Sequence, residues 1–224
     1  MTFDNTNTFG FGSGIYTTPE VAKILGLPRG KVRRWLKDYW NAKFANNSPQ
    51  YSVGIGTEEV TNFSTLIEFF TFYQLREKGV SAQKIVKAHD ILVEVFKTPY
   101  PFATSNILTD GERVLFEGHV GEIIKADKSL QIYINQVIEP FCQRIEFDNN
   151  KLANKFYPMG KTNTVVIDPK RKFGQPVIGD TNILTETVFS LFQAGEPVEI
   201  IANLFDLKIL QVEDAINFHT RTAA

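Results

Sequence analysis

The stretch YTTPEVAKILGLPRGKVRRWLKDYW, Tyr16 to Trp40, decides the fold of the N-terminal half. Thr18 stands before Pro19 and Glu20, so a cap, a first-turn proline and a first-turn acid occur in the order that opens a helix. Val21, Ile24 and Leu25 follow at helical spacing and make one face apolar. Gly26-Leu27-Pro28 then ends the helix after about two turns. In the next helix Val32, Trp35 and Leu36 point inward, while Arg29, Lys31, Arg33, Arg34 and Lys37 point outward. Tyr16 to Ala45 contains seven Lys/Arg and two Asp/Glu, a local charge of +5 in a chain whose net charge is -1. The spacing predicts a helix-turn-helix whose cations can meet phosphate. The alternative reading is a solvated basic helix on a three-helix core.

Composition bounds the rest. With 224 residues, 43% of them hydrophobic and 22% charged, the chain suits a globular protein of two small domains. The single Cys142 excludes a disulfide framework and a zinc ribbon and agrees with a reducing cytoplasm. No apolar run approaches a membrane span, and MTFDNTNTFGFGSG lacks the basic and apolar regions of a secretion signal. That opening, residues 1–15, reads as a flexible arm. Gly10, Gly12 and Gly14 make a poor phosphate loop because no strand precedes them.

Beyond the helix-turn-helix, short extended pieces around Phe44 and Tyr51 to Val53 suggest a β-hairpin wing. Thr65 to Glu68 matches a capping box opening a helix to Lys78, and Ser81 caps another with Ile85, Val86, Ile91, Leu92, Val95 and Phe96 as its buried stripe. In the middle, an Asp110-Gly111 hairpin (Ser105 to Phe116), a helix near Leu130 to Gln143, and a second hairpin with a two-residue turn at Asn149-Asn150 are expected. From Val165 a short strand and a Gly/Pro-rich turn lead into three helices. The first begins at Thr185, the second buries Ile200, Ile201 and Leu204, and the third buries Leu210, Val212, Ala215 and Ile216.

Tyr16, Thr17, Glu20, Val21, Ala22, Leu25, Gly26, Leu27, Val32, Arg33, Arg34 and Trp35 match the pattern of the MerR type of winged helix-turn-helix, which residues 16–97 resemble. Pro28 departs from it, since the second helix usually begins on Ser or Thr and proline offers no capping side chain. Ile167, Asp168, Pro169, Gly174, Pro176, Val177, Ile178, Thr181, Ile183, Thr185, Ala194, Gly195, Glu196, Glu199, Ile200 and Ala202 carry a second likeness. They resemble the tri-helical domain of unknown function 433 of VapB-type antitoxins, although Asp180 and Asn182 replace that family's Gly and Arg. The two resemblances together imply the antitoxin of a toxin–antitoxin pair whose toxin is a PIN-like ribonuclease.

Charge separates the two ends. Residues 185–224 hold six Asp/Glu (Glu186, Glu196, Glu199, Asp206, Glu213, Asp214) against Lys208 and Arg221, which would repel phosphate and suits a protein partner. Lys170, Arg171 and Lys172 beside Phe173 form the tail's one cation cluster. They read either as groups that enter a toxin's carboxylate-lined metal site or as a basic linker. Thr181 and Asn182 join them as candidate toxin contacts, with a purely structural turn as the other reading. No enzyme inventory is legible. His89, His119 and His219 lack metal-ligand spacing, His89 reads as a surface or boundary residue, and Cys142 reads as a small core residue.

The fold class expected is mainly α with small β elements (α+β). A flexible arm (1–15) precedes a winged helix-turn-helix (16–97), an α+β connecting or dimerisation region (98–160) and a tri-helical domain (161–224). The expected DNA-contact set is Thr18, Arg29, Lys31, Arg33, Arg34, Lys37 and Lys43. No cofactor, metal or membrane is implied. The partners expected are operator DNA and a PIN-like toxin, with the chain a cytoplasmic homodimer or a hetero-oligomer with the toxin. The alternative function is a ligand-responsive MerR-like transcription regulator without a toxin.

Overall fold

In the computed structural model, residues 12–45, 51–54, 56, 59–105 and 143–221 are described. The Ser105–Phe116 hairpin beyond its first residue, the helix near Leu130, His119 and Cys142 lie outside them.

The chain is an α+β protein of helices and small antiparallel sheets. Strand β1 (Tyr16–Thr17) runs directly into α1 (Thr18–Leu25). The cap is Thr17, one residue earlier than the spacing suggested: its Oγ1 accepts the Glu20 amide, and Glu20 in return accepts the Thr17 amide at 2.7 Å. Thr18 is therefore the first helical residue and is buried. Gly26, at φ 67°, supplies the left-handed cap that ends α1.

Helix α2 (Arg29–Trp35) starts on Pro28 with no side-chain cap, as the proline dictates. It continues without a break as a π-helical segment, Leu36–Phe44, which corrects the extended piece expected at Phe44. Leu36, Trp40 and Phe44 are all buried on this segment, and Trp40 stacks on Phe69 at 4.1 Å between ring centroids. Packing of Trp40 against Phe69 and Phe72 buries this helical segment where a strand was expected. Strands β2 (Ser52–Val53) and β3 (Val60–Thr61) complete an antiparallel sheet of order β1-β3-β2, so the wing takes a third strand from in front of α1.

Helix α3 (Phe63–Glu77) is capped by Asn62, whose Oδ1 accepts the Thr65 amide at 2.8 Å. The capping box at Thr65–Glu68 does not form, because Glu68 faces the core with 0% exposure. Its Oε1 accepts the Phe102 amide at 2.7 Å, and its Oε2 lies 2.9 Å from Nε2 of His89. His89 belongs to α4 (Ala82–Phe96), which Ser81 caps as expected. It is buried rather than superficial and stacks on Phe44 at 3.9 Å. Val95, expected in the buried stripe, is 47% exposed.

Strands β4 (Ile145–Phe147) and β5 (Ala153–Phe156) form the second hairpin. Its loop has three residues, not two. The Asp148 amide donates to Leu152, the Lys151 amide donates to Asp148, and Lys151 takes the left-handed conformation at φ 65°. Strands β6 (Val165–Val166) and β7 (Val177–Ile178) then bracket the Gly/Pro-rich turn. Helices α5 (Thr185–Gln193), α6 (Val198–Phe205) and α7 (Ile209–Thr220) close the tail.

Among the described residues two hydrophobic cores result. The larger gathers Tyr16, Val32, Trp35, Trp40, Phe69, Phe72 and Leu92 with Phe102, Ile145, Phe156 and Ile167. The smaller joins Ile178, Val188, Ile201, Ala202, Val212, Ala215 and Ile216. Phe218 lies near the end of α7 yet belongs to the larger core, so the last tail helix is planted in the first half of the molecule.

Candidate functional site

The cations of α2 divide into two groups. Arg29, Arg33 and Lys37 recur every four residues along the continuous helix Arg29–Phe44 and are exposed, with exposed Arg34 beside them. Lys43, six residues beyond Lys37, is also exposed, with its ammonium over the Tyr39 ring at 5.5 Å. Lys31 is half-buried instead. Its ammonium lies over the rings of Trp35 and Tyr73 at 5.3 and 5.2 Å and 3.7 Å from Glu77, which makes it a packing residue. Thr18 likewise contributes to the fold, its hydroxyl buried at the start of α1. The remaining guanidinium and ammonium groups concentrate exposed positive charge on one helix.

The root of the wing is tied to the same helix. Asn41 donates to Glu59 at 2.8 Å, and Ser52 donates to both Glu59 and Asn41. This network fixes β2 and β3 against the far end of the cation-bearing helix.

The tail is held against the head at α1, which leaves Arg29, Arg33, Arg34 and Lys37 uncovered. Gln175 donates to Glu20 at 2.9 Å, and the Lys23 ammonium meets Glu186 of α5 at 2.7 Å. Arg221 donates to the carbonyls of Lys23 and Ile24 at the end of α1, the first of which also accepts the Gly26 amide at 3.3 Å. Burial lowers the pKa of this guanidinium to about 10, with Arg144 adding to the shift. Beside it His219 stacks on Phe189 at 4.8 Å, with Nε2 2.9 Å from the Thr185 hydroxyl and Nδ1 3.4 Å from Glu186. Burial first, then the Lys23 charge, holds this imidazole down to about 4, with Glu186 opposing them.

The candidate partner residues of the Gly/Pro-rich turn also separate. Arg171 is spent internally, donating to the Gly179 carbonyl at 3.0 Å and to Asn182 at 3.4 Å. Thr181 donates to the Ile178 carbonyl at 2.7 Å, so it closes the turn. Lys170, Lys172 and Phe173 point outward, Phe173 with 70% exposure. Lys172 and Phe173 both occupy the left-handed region, at φ 47° and 56°, a strained arrangement for bulky side chains. It is fixed from behind: the Phe173 carbonyl accepts the Ile15 amide at 3.0 Å, and Gly174 lies so close to the Tyr16 hydroxyl that a Cβ would clash.

Other tail residues depart from the sequence reading. Asp214 does not add to the acidic surface. It is buried and accepts Asn163 Nδ2 and the Thr164 amide at 2.7 and 2.8 Å. Ile200, Leu204 and Leu210, expected inside, are 52%, 65% and 59% exposed. Val198, Ile201 and Ala202 already supply the core-facing side of α6, so Ile200 and Leu204 of this short helix face out.

Comparison with known proteins places these surfaces in context. Among the described residues no helix is long and apolar enough to cross a membrane. The crystal structure of Rv2018 from Mycobacterium tuberculosis shares the fold, with a TM-score of 0.71 over 90% of this chain and 96% of that one at 23% identity. "Uncharacterized protein Rv2308" of Mycobacterium tuberculosis is 25% identical over 91% of this chain and 89% of its own length. A Mycobacterium tuberculosis protein named "Putative antitoxin VapB45" is 25% identical over 97% of this chain and 98% of its own. Residues 165–219, the whole of β6 to α7 but for its last residue, match the family described as "Protein of unknown function (DUF433)".

Proposed function

We propose that this chain is the antitoxin of a type II toxin–antitoxin pair. Its head, read as a MerR-like winged helix-turn-helix, binds operator DNA and represses its own operon. Its tail binds and neutralises a PIN-like ribonuclease toxin. The observation that carries this reading is the division of surfaces on one locked scaffold. A row of exposed cations lies on α2, while the segment matching the DUF433 family is clamped to the neighbouring helix and presents different chemistry. The full-length likeness to a protein bearing an antitoxin name supports it.

Within this reading Arg29, Arg33, Arg34, Lys37 and Lys43 contact phosphate, and Lys31 and Thr18 shape the helices that carry them. Lys170, Lys172, Phe173 and Asn182 are the exposed members of the candidate toxin contacts. The chain acts by binding in the cytoplasm, without a cofactor or a reaction of its own. As with other readers of paired half-sites, a dimer engages the operator.

The test is a gel shift on the protein's own promoter together with a pulldown of the product of the adjacent open reading frame. Retarded promoter DNA and a stable complex are expected. A chain that does neither is not an antitoxin of this kind.

A further inference from the structure

Helix α6 has apolar residues on both sides. Ile201 and Ala202 face the small core, while Ile200 and Leu204 face solvent one turn apart. A three-residue turn, Asp206 to Lys208, joins α6 to α7, whose first two residues are Ile209 and Leu210, 48% and 59% exposed. Four large exposed aliphatics thus fall within a short span of sequence on two helices joined by a short turn. A folded monomer gains nothing from this placement, and apolar surface of this kind marks an interaction site. The surrounding charges are acidic: Glu196, Glu199, Asp206 and Glu213 are exposed, with Lys208 the one cation of α6, α7 and their connecting turn.

The rim decides what can cover the ridge. Nucleic acid is repelled by it. A second copy set ridge to ridge about a twofold axis places Glu199, Asp206 and Glu213 near their own counterparts, a like-charge contact that costs affinity. In a tri-helical unit that reads DNA, the start of the third helix carries the reading side chains. Here that position holds Ile209, Leu210 and Glu213.

We propose that the ridge of Ile200, Leu204, Ile209 and Leu210 is where the tail takes up its partner protein, and that the partner presents an apolar groove edged with Lys and Arg. The proposal rests on the antitoxin reading and names the surface that reading uses, a different one from the Lys170–Phe173 loop.

The experiment measures binding of the purified adjacent-gene product to the full chain by calorimetry, and the mass of the chain alone by light scattering. The variants are Leu204→Glu, Leu210→Glu, Glu199→Lys, and the loop pair Lys172→Ala with Phe173→Ala. All sites are exposed, so unchanged melting temperatures confirm that the variants fold. Leu204→Glu and Leu210→Glu are expected to weaken binding at least 100-fold. Glu199→Lys is expected to weaken it about tenfold, and added salt to weaken the wild type. Binding untouched by both leucine variants but lost in the loop pair overturns the ridge and leaves the antitoxin reading standing. A wild-type dimer that Leu204→Glu turns into monomer makes a second copy the occupant and also overturns the proposal. A wild type that binds nothing removes the antitoxin reading and the ridge with it.

Discussion

The guanidinium of Arg221 donates to the backbone carbonyl of Lys23 at 2.7 Å, so the end of the tail caps the first helix of the head. A hydrogen bond from a charged donor contributes about 2 kcal/mol, and its loss takes the guanidinium away from the Ile24 carbonyl at the end of α1. Arg221→Ala is expected to lower unfolding stability by about that amount in urea titrations. Lys at the same position should restore only part of it, because an ammonium cannot fork to both carbonyls. An alanine variant as stable as the wild type would show that the Arg221 bonds add nothing to what the other contacts between head and tail supply.

Replacing Arg33 and Arg34 together with Ala is expected to abolish the gel shift of the protein's own promoter at moderate salt. Because each lost phosphate contact removes about 0.9 from the slope of log affinity against log salt, residual binding should have a slope smaller by about 2. Lys31→Ala should behave differently, reducing stability through the lost contacts with Trp35 and Tyr73 while leaving the slope nearly unchanged. Equal effects of the two variants on the slope would return Lys31 to the contact face.

Glu68 and His89 form a fully buried polar pair beneath the wing and the helices that carry it. Burial pushes the Glu68 carboxyl up, while His89 and the amides of Phe102 and Ala103 pull it down. Glu68→Ala leaves the Phe102 amide without its acceptor and the imidazole without its neighbouring carboxylate, and a loss of about 3 kcal/mol is expected. Glu68→Gln keeps an acceptor for the amide and should lose less. Chemical denaturation of the two variants distinguishes a structural pair from an inert one: similar small losses would contradict the assignment.

Much of the framework was legible because local signals and tertiary packing agree there. Gly26 ends α1, Ser81 opens α4, and the RIEFD strand pairs with the strand after Asn150. The Thr17 cap was missed by one residue because Thr17 and Thr18 are chemically alike, and only Glu20 folding back on Thr17 separates them. Glu68 sits three residues after Thr65, a spacing that also serves a capping box. Its role is set by His89 and Phe102, which lie far away in sequence. The spacing of Ile200 and Leu204 does not reveal their exposure, because periodicity cannot choose the buried side of a helix that is apolar on both. The cation row was readable at once, since charge concentrated on a helix needs no tertiary partner to be seen. The internal engagement of Arg171 and Thr181 was not, because it depends on how the turn closes.

His219 ties α7 to α5, and its folded pKa lies near 4 against an ordinary value of 6.5. In the unfolded chain the imidazole binds a proton as pH falls through 6.5, whereas in the fold it stays neutral until about 4. The unfolded state therefore holds more protons across that interval, and stability is full above 6.5 and declines as pH drops toward 4. His219→Gln is expected to flatten the dependence of melting temperature on pH over this range. An unaltered slope would assign the acid sensitivity to other groups.

The antitoxin reading is tested most directly by the ribonuclease activity of the adjacent-gene product, titrated with the full chain. The account predicts that RNA cleavage falls in proportion to added chain and ends at a fixed stoichiometry, with Leu204→Glu failing to inhibit. Cleavage that continues undiminished in a molar excess of the folded wild-type chain would contradict it.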